Sequence, residues 1–408
     1  MRTARHGKAP DPQDLGQRVA AAGQILHLIG SGRATSRAAL VQVAGLSRAT
    51  VTERLTSLFA VDLVREAEET IPSGGRPTRS LRLNGGAGLV LAAEIGESHT
   101  RVALTDLQPR IIAERVGKVD VACGPIPIAT WISEQLQELL REAGHARPVL
   151  GLGLSLPAPV DFVAGRVVGP SIMTGWDDFD VVGWFGRRFG VPVIADNDVN
   201  ILTLAECRHD PAGADQLLFI KAGSGIGSGI VIDGKLHRGA QGAAGDIGHI
   251  QLGAEPYPLC RCGKLGCVEA RAAGWALARE LRALGFEATD ARDVLALVRR
   301  NQPEAVRLLR DAGRVLGEVA ADCVAILNPR RIILGGTLAQ AGEHLLAGML
   351  ELVYQRSLPL ATRELQIQTS RLGERAGIIG IAWLVIGSQL APDVIAGTIQ
   401  RLARMPIG

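Results

Sequence analysis

Three cysteines lie within eight residues in the stretch CRCGKLGCVE, Cys260 to Glu269, and His249 lies a short way upstream. Gly263 and Gly266 allow tight backbone turns before the last of these cysteines. One histidine and three thiolates suit a closed tetrahedral zinc site with no open position for water. The residues predicted to bind a structural zinc ion are His249, Cys260, Cys262 and Cys267.

Other uses of clustered sulfur fit this stretch less well. A disulfide between Cys260 and Cys262 would be strained, because only one residue separates them. A redox site would favour Cys-x-x-Cys spacing, which this stretch lacks. Chance clustering is the remaining alternative, and the density of cysteines argues against it.

Two further stretches carry polar or glycine-rich patterns. In IADNDVN, Asn197 and Asp198 follow a short predicted strand. An aspartate there can accept a proton or a hydrogen bond from a sugar hydroxyl, although such a pair is more often a turn or helix cap. AGSGIGSG, Ala222–Gly229, fits a phosphate-binding loop or tight β-turns equally well.

The stretch AEIGESHT corresponds to the phosphate-binding turn of actin-like sugar kinases, which has an acidic-x-Gly-Gly-Thr pattern. Glu94 stands at the acidic position, Glu97 replaces the second glycine and Ser98 replaces the threonine. A carboxylate in this turn would repel a nucleotide, so ATP is not expected as a cofactor.

The N-terminal region reads as a winged helix-turn-helix. A helical pattern starting at Leu15 precedes two short helices, near Ser36–Val43 and Arg48–Phe59, with a tight turn at Gly45. A recognition helix reads bases from its N-terminal turns. The predicted DNA contacts of this helix are Ser47, Arg48 and Thr52.

Two strand-like pieces follow and would form a β-wing around Gly74-Gly75-Arg76-Pro77. Arg76 is predicted to enter a minor groove of the operator. Residues 1–83 hold 12 of the 44 Lys and Arg but only 7 of the 41 Asp and Glu, so the basic excess lies at this end. The alternative is a small packed or protein-interaction subdomain.

From Gly85 onward the pattern is β-β-β-α-β, and a similar pattern begins after Asp215. Two such halves predict a two-lobed α/β body with a cleft between the lobes. The longest apolar run, Gly377–Gly387, is too short for a membrane span, and residues 1–17 lack the apolar core of a signal peptide. A cytoplasmic protein is therefore expected.

The predicted division of the chain has four parts. A disordered tail covers 1–14, and the winged helix-turn-helix covers 15–84. The first lobe comprises 85–200 with 382–408. The second lobe, 201–381, carries the zinc site and a dimerisation surface.

Together these residues resemble the ROK family (repressor, open reading frame, kinase), in the regulator branch that places a winged helix before an actin-like body. The most specific resemblance is GHIQLGAEPYPLCRCGKLGCVEA, which is similar to the family's zinc stretch. LPAPVDFVAGRVVGPSIMTGWDDFDV, NDVN and RIILGGTLA are similar to three more family stretches.

The resemblance implies a set of sugar-binding residues. Asp198 would be the catalytic base in a kinase, Asp246 stands where glutamate is usual, and His249 would use one ring nitrogen for zinc and the other for sugar. Glu269 would bind a further hydroxyl. The implied sugar-binding residues are Asn197, Asp198, Asp246, His249 and Glu269.

The sequence therefore predicts a nucleoid-associated transcriptional regulator, a repressor rather than an enzyme, with structural Zn²⁺. Its partners would be operator DNA, a sugar effector and further copies of itself in a homodimer or tetramer, with no membrane. Sugar binding would move the two lobes relative to each other. In the oligomer, this movement would change the spacing between the paired winged helices. Because Asp198 is retained, an ATP-dependent sugar kinase is the main alternative. A regulator blind to sugars is the third.

Overall fold

The computed structural model describes residues 21–398, except 72–77, 98, 145–146, 170–172, 178, 212, 254 and 256. Several predictions fall outside this part of the chain. They concern the tail at 1–14, the start of the first helix at Leu15, Arg76 and Ser98.

The N-terminal region, here called the head, shows three helices and a hairpin in the residues that the structure describes. Ser36 and Ser47 cap the second and third helices, because their hydroxyls accept the backbone N–H of Ala39 and Thr50 at 3.1 Å. Gly45 has φ +67°, which suits the tight turn between them. The elements are α1 Gly23–Gly30, α2 Arg37–Ala44, α3 Arg48–Ala60 and the antiparallel strands β1 Val64–Ile71 and β2 Thr78–Leu83.

The first sheet of the body has the order β5-β4-β3-β6-β9. Its first three strands are antiparallel, and the last two run parallel to β3. Its strands are β3 Leu89–Ile95, β4 Thr100–Asp106, β5 Ile111–Gly117, β6 Val149–Leu156 and β9 Val193–Asn197. A short pair, β7 Val160–Asp161 and β8 Arg166–Val167, follows β6, and the adjoining helices are α4 Pro125–Glu142 and α5 Val181–Phe189.

The second sheet repeats this arrangement with the order β12-β11-β10-β13-β14. Leu218 and Ile220 face one helical layer, while Leu217 and Phe219 face the opposite side, as the alternation along a strand requires. The strands are β10 Gln216–Ala222, β11 Ile226–Ile232, β12 Lys235–His237, β13 Arg331–Gly335 and β14 Gln366–Thr369. The β-β-β-α-β start predicted for the body matches β3 to β6.

The helices of the second half mostly cover one face of this sheet. They are α7 Val268–Ala272, α8 Gly274–Ala283, α9 Ala291–Arg299, α10 Pro303–Leu327, α11 Glu343–Arg356 and α12 Pro359–Thr362. In the described residues, no helix is both long enough and apolar enough to cross a membrane.

Two helices lie between the sheets: α6, Asp198–His209, and α13, Ala376–Gln389. Helix α6 leaves the end of β9 and packs on β10 and β11, while α13 packs on β3 and β6. The two helices cross closely at Gly380, where a Cβ would lie 2.1 Å from the Ile201 carbonyl oxygen. Because α13 is continuous, it crosses the predicted lobe boundary at 381/382.

The head contacts the body through both of these helices. The Arg208 guanidinium, near the end of α6, donates a hydrogen bond to the Ser31 carbonyl just after α1 and lies 5.2 Å from the centre of the Trp383 ring. Gly23 of α1 approaches the segment after α13 so closely that a Cβ would lie 2.9 Å from Ile395 Cγ2. One apolar cluster therefore includes side chains from the head and from α13.

Candidate functional site

The histidine and three cysteines predicted as metal ligands come together. The ligand atoms of His249, Cys260, Cys262 and Cys267 all lie within 4.8 Å of one another. Cys260 Sγ is 3.7 Å from His249 Nδ1, and Cys262 Sγ is 3.7 Å from Cys267 Sγ. A disulfide would need about 2.05 Å, and all six cysteines carry free thiols. The cluster can hold a metal ion.

The backbone of the loop holds the cysteines of this cluster close together. Cys260 N–H donates to the Lys264 carbonyl at 2.8 Å, which closes the turn between the first and last cysteines. Gly263 and Gly266 have φ of +85° and +74°, a region that glycine enters without strain. Burial and the neighbouring thiols raise the pKa of Cys267 to about 12. A thiol binds a metal ion as its thiolate, so metal binding at this cluster releases protons.

The two ring nitrogens of His249 face different groups. Nδ1 faces the cysteine cluster, whereas Nε2 lies 4.0 Å from Asp246 Oδ1. Asp246 directly precedes the short 3-10 turn Ile247–His249. The structure thus brings Asp246 to the side of the imidazole that faces away from the cysteines.

Asn197 and Asp198 lie at the junction between strand β9 of the first sheet and helix α6. Asn197 Oδ1 accepts the Val199 N–H at 2.9 Å, so it caps α6, and its Nδ2 donates to the Ala158 carbonyl at 2.9 Å. Asp198 forms an ion pair with Lys221 of β10. Asn197 is therefore a helix cap, which was one of the two alternatives from the sequence. Asp198 has a cationic partner that was not predicted from the sequence.

Lys221 lies among three carboxylates. Burial lowers the pKa of Lys221, but Asp198, Glu94 and Glu269 outweigh burial and leave this pKa above its ordinary value. Charges from both halves of the body therefore meet at one ammonium group. A lysine directly before a glycine string in a buried strand was the available sequence signal.

Glu269 lies on α7, two residues after Cys267. Its Oε2 accepts the Ile226 N–H at 3.0 Å, and its Oε1 lies 3.4 Å from the Trp275 Nε1 donor. A Cβ on Gly225 would lie 2.8 Å from Oε2, so glycine is needed for this approach. The tight turn between β10 and β11, within the glycine-rich stretch 222–229, thus lies against the Glu269 carboxylate.

The stretch AEIGESHT, which resembles a phosphate-binding turn, contains two glutamates, and their side chains have different surroundings. Burial raises the pKa of Glu94 to about 7, Asp198 adds to the increase, and Arg101 and Lys221 oppose it. Glu97 pairs at 3.0 Å with Arg261, which lies between two of the cysteines. Arg261 also lies 4.9 Å from the centre of the Trp275 ring.

Replacing Glu94 with glutamine is expected to stabilise the protein at alkaline pH. The folded protein holds the Glu94 proton more tightly than the unfolded chain, so its stability falls as pH rises from about 4.5 to about 7. By this shift, Glu94→Gln should raise the free energy of unfolding by up to roughly 3 kcal/mol at pH 8. Urea unfolding of both proteins at pH 8 and pH 5 measures the effect.

The gain should shrink at pH 5, where Glu94 is protonated in the folded protein. Glu97→Gln is the matched control, because it removes a carboxylate from the same turn. An equal gain from Glu94→Gln at both pH values would contradict a titrating Glu94.

The predicted DNA-contacting residues lie together on the head. Ser47, Arg48 and Thr52 are exposed at the start of α3. Thr52 Oγ1 donates to the Arg48 carbonyl at 2.9 Å, and Ser47 caps the helix. The buried face of α3 carries Val51, Leu55 and Leu58, as the sequence pattern predicts.

Comparison with known proteins gives one family match, to the ROK family over residues 90–388. A xylose repressor of Caldicellulosiruptor bescii is 25% identical over 383 residues, which cover 90% of this chain and 95% of the repressor. A glucokinase of Halalkalibacterium halodurans is 31% identical over 276 residues, which cover 63% of this chain and 83% of the glucokinase.

Among solved structures, a ROK family transcriptional regulator, a homologue of the Escherichia coli MLC protein, matches with a TM-score of 0.79. It is 24% identical, and the match covers 95% of this chain and all of that chain. This likeness extends over the head as well as the body, whereas the glucokinase match covers a smaller share of the chain.

Proposed function

The chain belongs to the ROK family, and we propose that it acts as a sugar-responsive, DNA-binding transcriptional regulator, specifically a repressor. The main support for this proposal is the share of the chain that each relative matches. The xylose repressor matches 90% of the chain, while the glucokinase matches 63%. The α/β fold predicted from the sequence is that of the matched regulator structure.

The head is proposed to bind operator DNA as a winged helix-turn-helix. Its support is the capped pair α2 and α3, followed by the β1–β2 hairpin. A recognition helix places its N-terminal turns in the major groove. Ser47, Arg48 and Thr52 are exposed there. The minor-groove role of Arg76 stays a prediction from sequence.

The cleft is proposed to bind a sugar through hydroxyl-binding groups from both halves of the body. The proposed groups are Asn197, Asp198, Asp246, His249 and Glu269. Hydrogen bonds to such carboxylates and amides suit a neutral polyol, whose hydroxyls both donate and accept. Binding that draws the two halves together is the event proposed to weaken operator binding.

A kinase reaction fits this cleft less well than sensing does. A general base must be free to take the proton of the substrate hydroxyl, but Asp198 is paired with Lys221. Glu97 places a carboxylate in the turn that would cradle phosphate, and its partner is Arg261. ATP is therefore not part of the proposal.

The metal proposed for the cysteine cluster is Zn²⁺ in a structural role. Zn–S bonds of about 2.3 Å place two sulfurs of a tetrahedral site about 3.8 Å apart, close to the 3.7 Å between Cys262 and Cys267. When bound, zinc supplies a fixed tetrahedral junction with no open position for water. His249 would bind through Nδ1 and leave Nε2 toward Asp246.

Helix α6 is the proposed connection between sugar and operator. It begins beside Asn197 and carries Arg208 near its other end, where the guanidinium meets the Ser31 carbonyl of the head. Twelve helical residues span about 18 Å. If sugar binding moved α6 at its Asn197 end, Arg208 at the other end would move as well. That movement would displace the contact between Arg208 and the head.

A homodimer or tetramer in the cytoplasm, associated with the nucleoid, completes the proposal. Large apolar side chains are exposed at the ends of α10 and α11 and near α12, such as Ile326 at 81% and Leu358 at 77%. Exposed apolar groups of this kind favour an interface with a second copy. Paired heads would then read two operator half-sites.

The test combines operator binding with a kinase assay. Fluorescence anisotropy with DNA from upstream of the gene is measured with and without D-xylose, D-glucose and other neutral aldoses. One sugar should weaken binding at least about tenfold, a coupling within the usual range, and ATP with that sugar should release no ADP. Arg48→Ala is the control with a folded body and weak DNA binding.

Each alternative predicts another outcome. ADP release at ordinary sugar-kinase rates would favour the kinase. Operator binding that no sugar alters would favour a regulator blind to neutral sugars.

A further inference from the structure

A buried ion pair joins the two halves of the body next to Asn197 and Asp198, which are proposed to bind the sugar. Arg238 follows β12, and its Nε and Nη2 both donate to Asp196 Oδ2, at 2.9 and 2.7 Å. The Asp196 side chain is 1% exposed and that of Arg238 is 22% exposed. The guanidinium carbon lies 3.8 Å from the centre of the Phe162 ring. Buried charges persist when paired and well hydrogen-bonded, and this pair meets both conditions.

Asp196 also fixes the start of α6. Its Oδ1 accepts hydrogen bonds from the Asn197 N–H and from Asn200 Nδ2, both at 2.8 Å. One oxygen therefore serves Arg238 and the other serves the segment that carries Asn197 and Asp198. The carboxylate has donors on both sides, so its position is defined from both halves of the body.

Arg238 in turn fixes the segment that leads to Asp246 and His249. The Ala244 N–H donates to the Arg238 carbonyl at 3.1 Å, which closes the loop. At Gly242, with φ +84°, a Cβ would lie 2.5 Å from the Val160 carbonyl of the first half, so this loop fits tightly against that half. The Gly245 carbonyl then accepts both the N–H and the hydroxyl of Ser228.

We propose that Asp196 and Arg238 are positioning residues for the sugar, which set the distance between Asn197 and Asp198 on one side and Asp246 and His249 on the other. This inference rests on the proposed sugar-binding function. Neither residue needs to touch the sugar, because each acts through the segment that it holds. A pair of hydrogen bonds on one carboxylate oxygen, with an aromatic ring beneath, fixes distance and direction together.

The expected results separate positioning from plain stabilisation. Arg238→Gln should weaken sugar binding at least about tenfold, because small displacements of binding groups are costly, while zinc content and operator affinity without sugar stay at the wild-type level. Arg238→Lys keeps the charge but loses the second donor and the ring contact. Its loss of sugar affinity should be intermediate. A purely stabilising pair would lower the unfolding midpoint and leave the sugar Kd of the folded protein unchanged.

The experiment is calorimetric titration of the full-length protein with D-xylose and D-glucose, beside elemental analysis and operator anisotropy. Asp196→Asn and the double variant with Arg238→Gln complete a cycle. The double variant should bind sugar no more weakly than the worse single variant. Arg187→Gln, which breaks the exposed ion pair with Asp180, is the matched control and should bind like wild type.

Two results would overturn the inference, and they differ from a failure of the proposed function. Wild-type sugar affinity in folded Arg238→Gln would remove the positioning role alone, as would additive losses in the double variant. If no neutral aldose bound to the wild-type protein or altered its operator binding, the proposed function itself would fail. Should Arg238→Gln not fold, the same comparison is made between wild type and Arg238→Lys.

Discussion

Serine in place of Cys262 is expected to remove most of the zinc and to destabilise the loop from Cys260 to Glu269. Cys262 Sγ lies 3.7 Å from Cys267 Sγ, so both would contact one ion. A serine hydroxyl is a poor zinc ligand at neutral pH, and only three ligands would remain. Losing merely a hydrogen-bond partner of a zinc ligand costs about 10–100-fold in affinity, so losing a ligand should cost at least that much.

The loss of zinc should also affect the proposed sugar site. His249 is a proposed zinc ligand and Glu269 lies two residues beyond Cys267, so the loop positions both. Elemental analysis after dialysis and thermal unfolding with and without chelator measure the effect. Cys123→Ser is the matched control, because Cys123 is exposed and lies outside the cluster. A full complement of zinc in Cys262→Ser would refute its assignment as a ligand.

Alanine in place of Arg208 is expected to separate sugar binding from operator release. The proposed sugar-binding residues Asn197 and Asp198 lie at the other end of α6, so sugar affinity should stay near the wild-type value. Operator affinity without sugar should also persist, since α3 is untouched. What should be lost is most of the sugar-induced weakening, which allosteric proteins typically support with about 1–3 kcal/mol of coupling.

The reason lies in the contacts of the Arg208 guanidinium. It is held by the Ser31 carbonyl of the head and the Trp383 ring of α13. Burial lowers the pKa of Arg208, but an arginine remains charged in proteins, so the guanidinium can still donate to the Ser31 carbonyl. Operator anisotropy with and without the effector sugar measures the coupling directly.

Arg187→Ala is the control for this experiment. Arg187 is an exposed residue of α5 paired with Asp180, so removing its charge should leave the coupling intact. Full sugar-induced release in Arg208→Ala would exclude a transmitting role. Collapse of operator binding without sugar would instead show that Arg208 only holds the head in place.

Sequence reasoning succeeded where the determinants are local. The helix caps at Ser36 and Ser47 follow from side chains that bond to the backbone three residues on. The β-β-β-α-β start follows from alternating apolar residues. The metal-ligand cluster spans only His249 to Cys267, so its assembly needs one short loop.

The pairs that sequence reasoning missed join distant parts of the chain. Asp198 and Lys221 are 23 residues apart, Asp196 and Arg238 are 42 apart, and Ser31 and Arg208 are 177 apart. Local periodicity carries no information about such partners, because the packing of the sheets brings them together. For the same reason, nothing in the sequence indicated that the Asp198 carboxylate is paired with Lys221.

The contact between Gly23 and Ile395 has a consequence for synthesis on the ribosome. The apolar face of α1 is covered partly by residues that follow α13, so it stays exposed until they emerge. At about 5–20 residues per second, the ribosome needs roughly 20–70 s to pass from Gly23 to Ile395. The head of the nascent chain is therefore incompletely packed until the residues after α13 emerge.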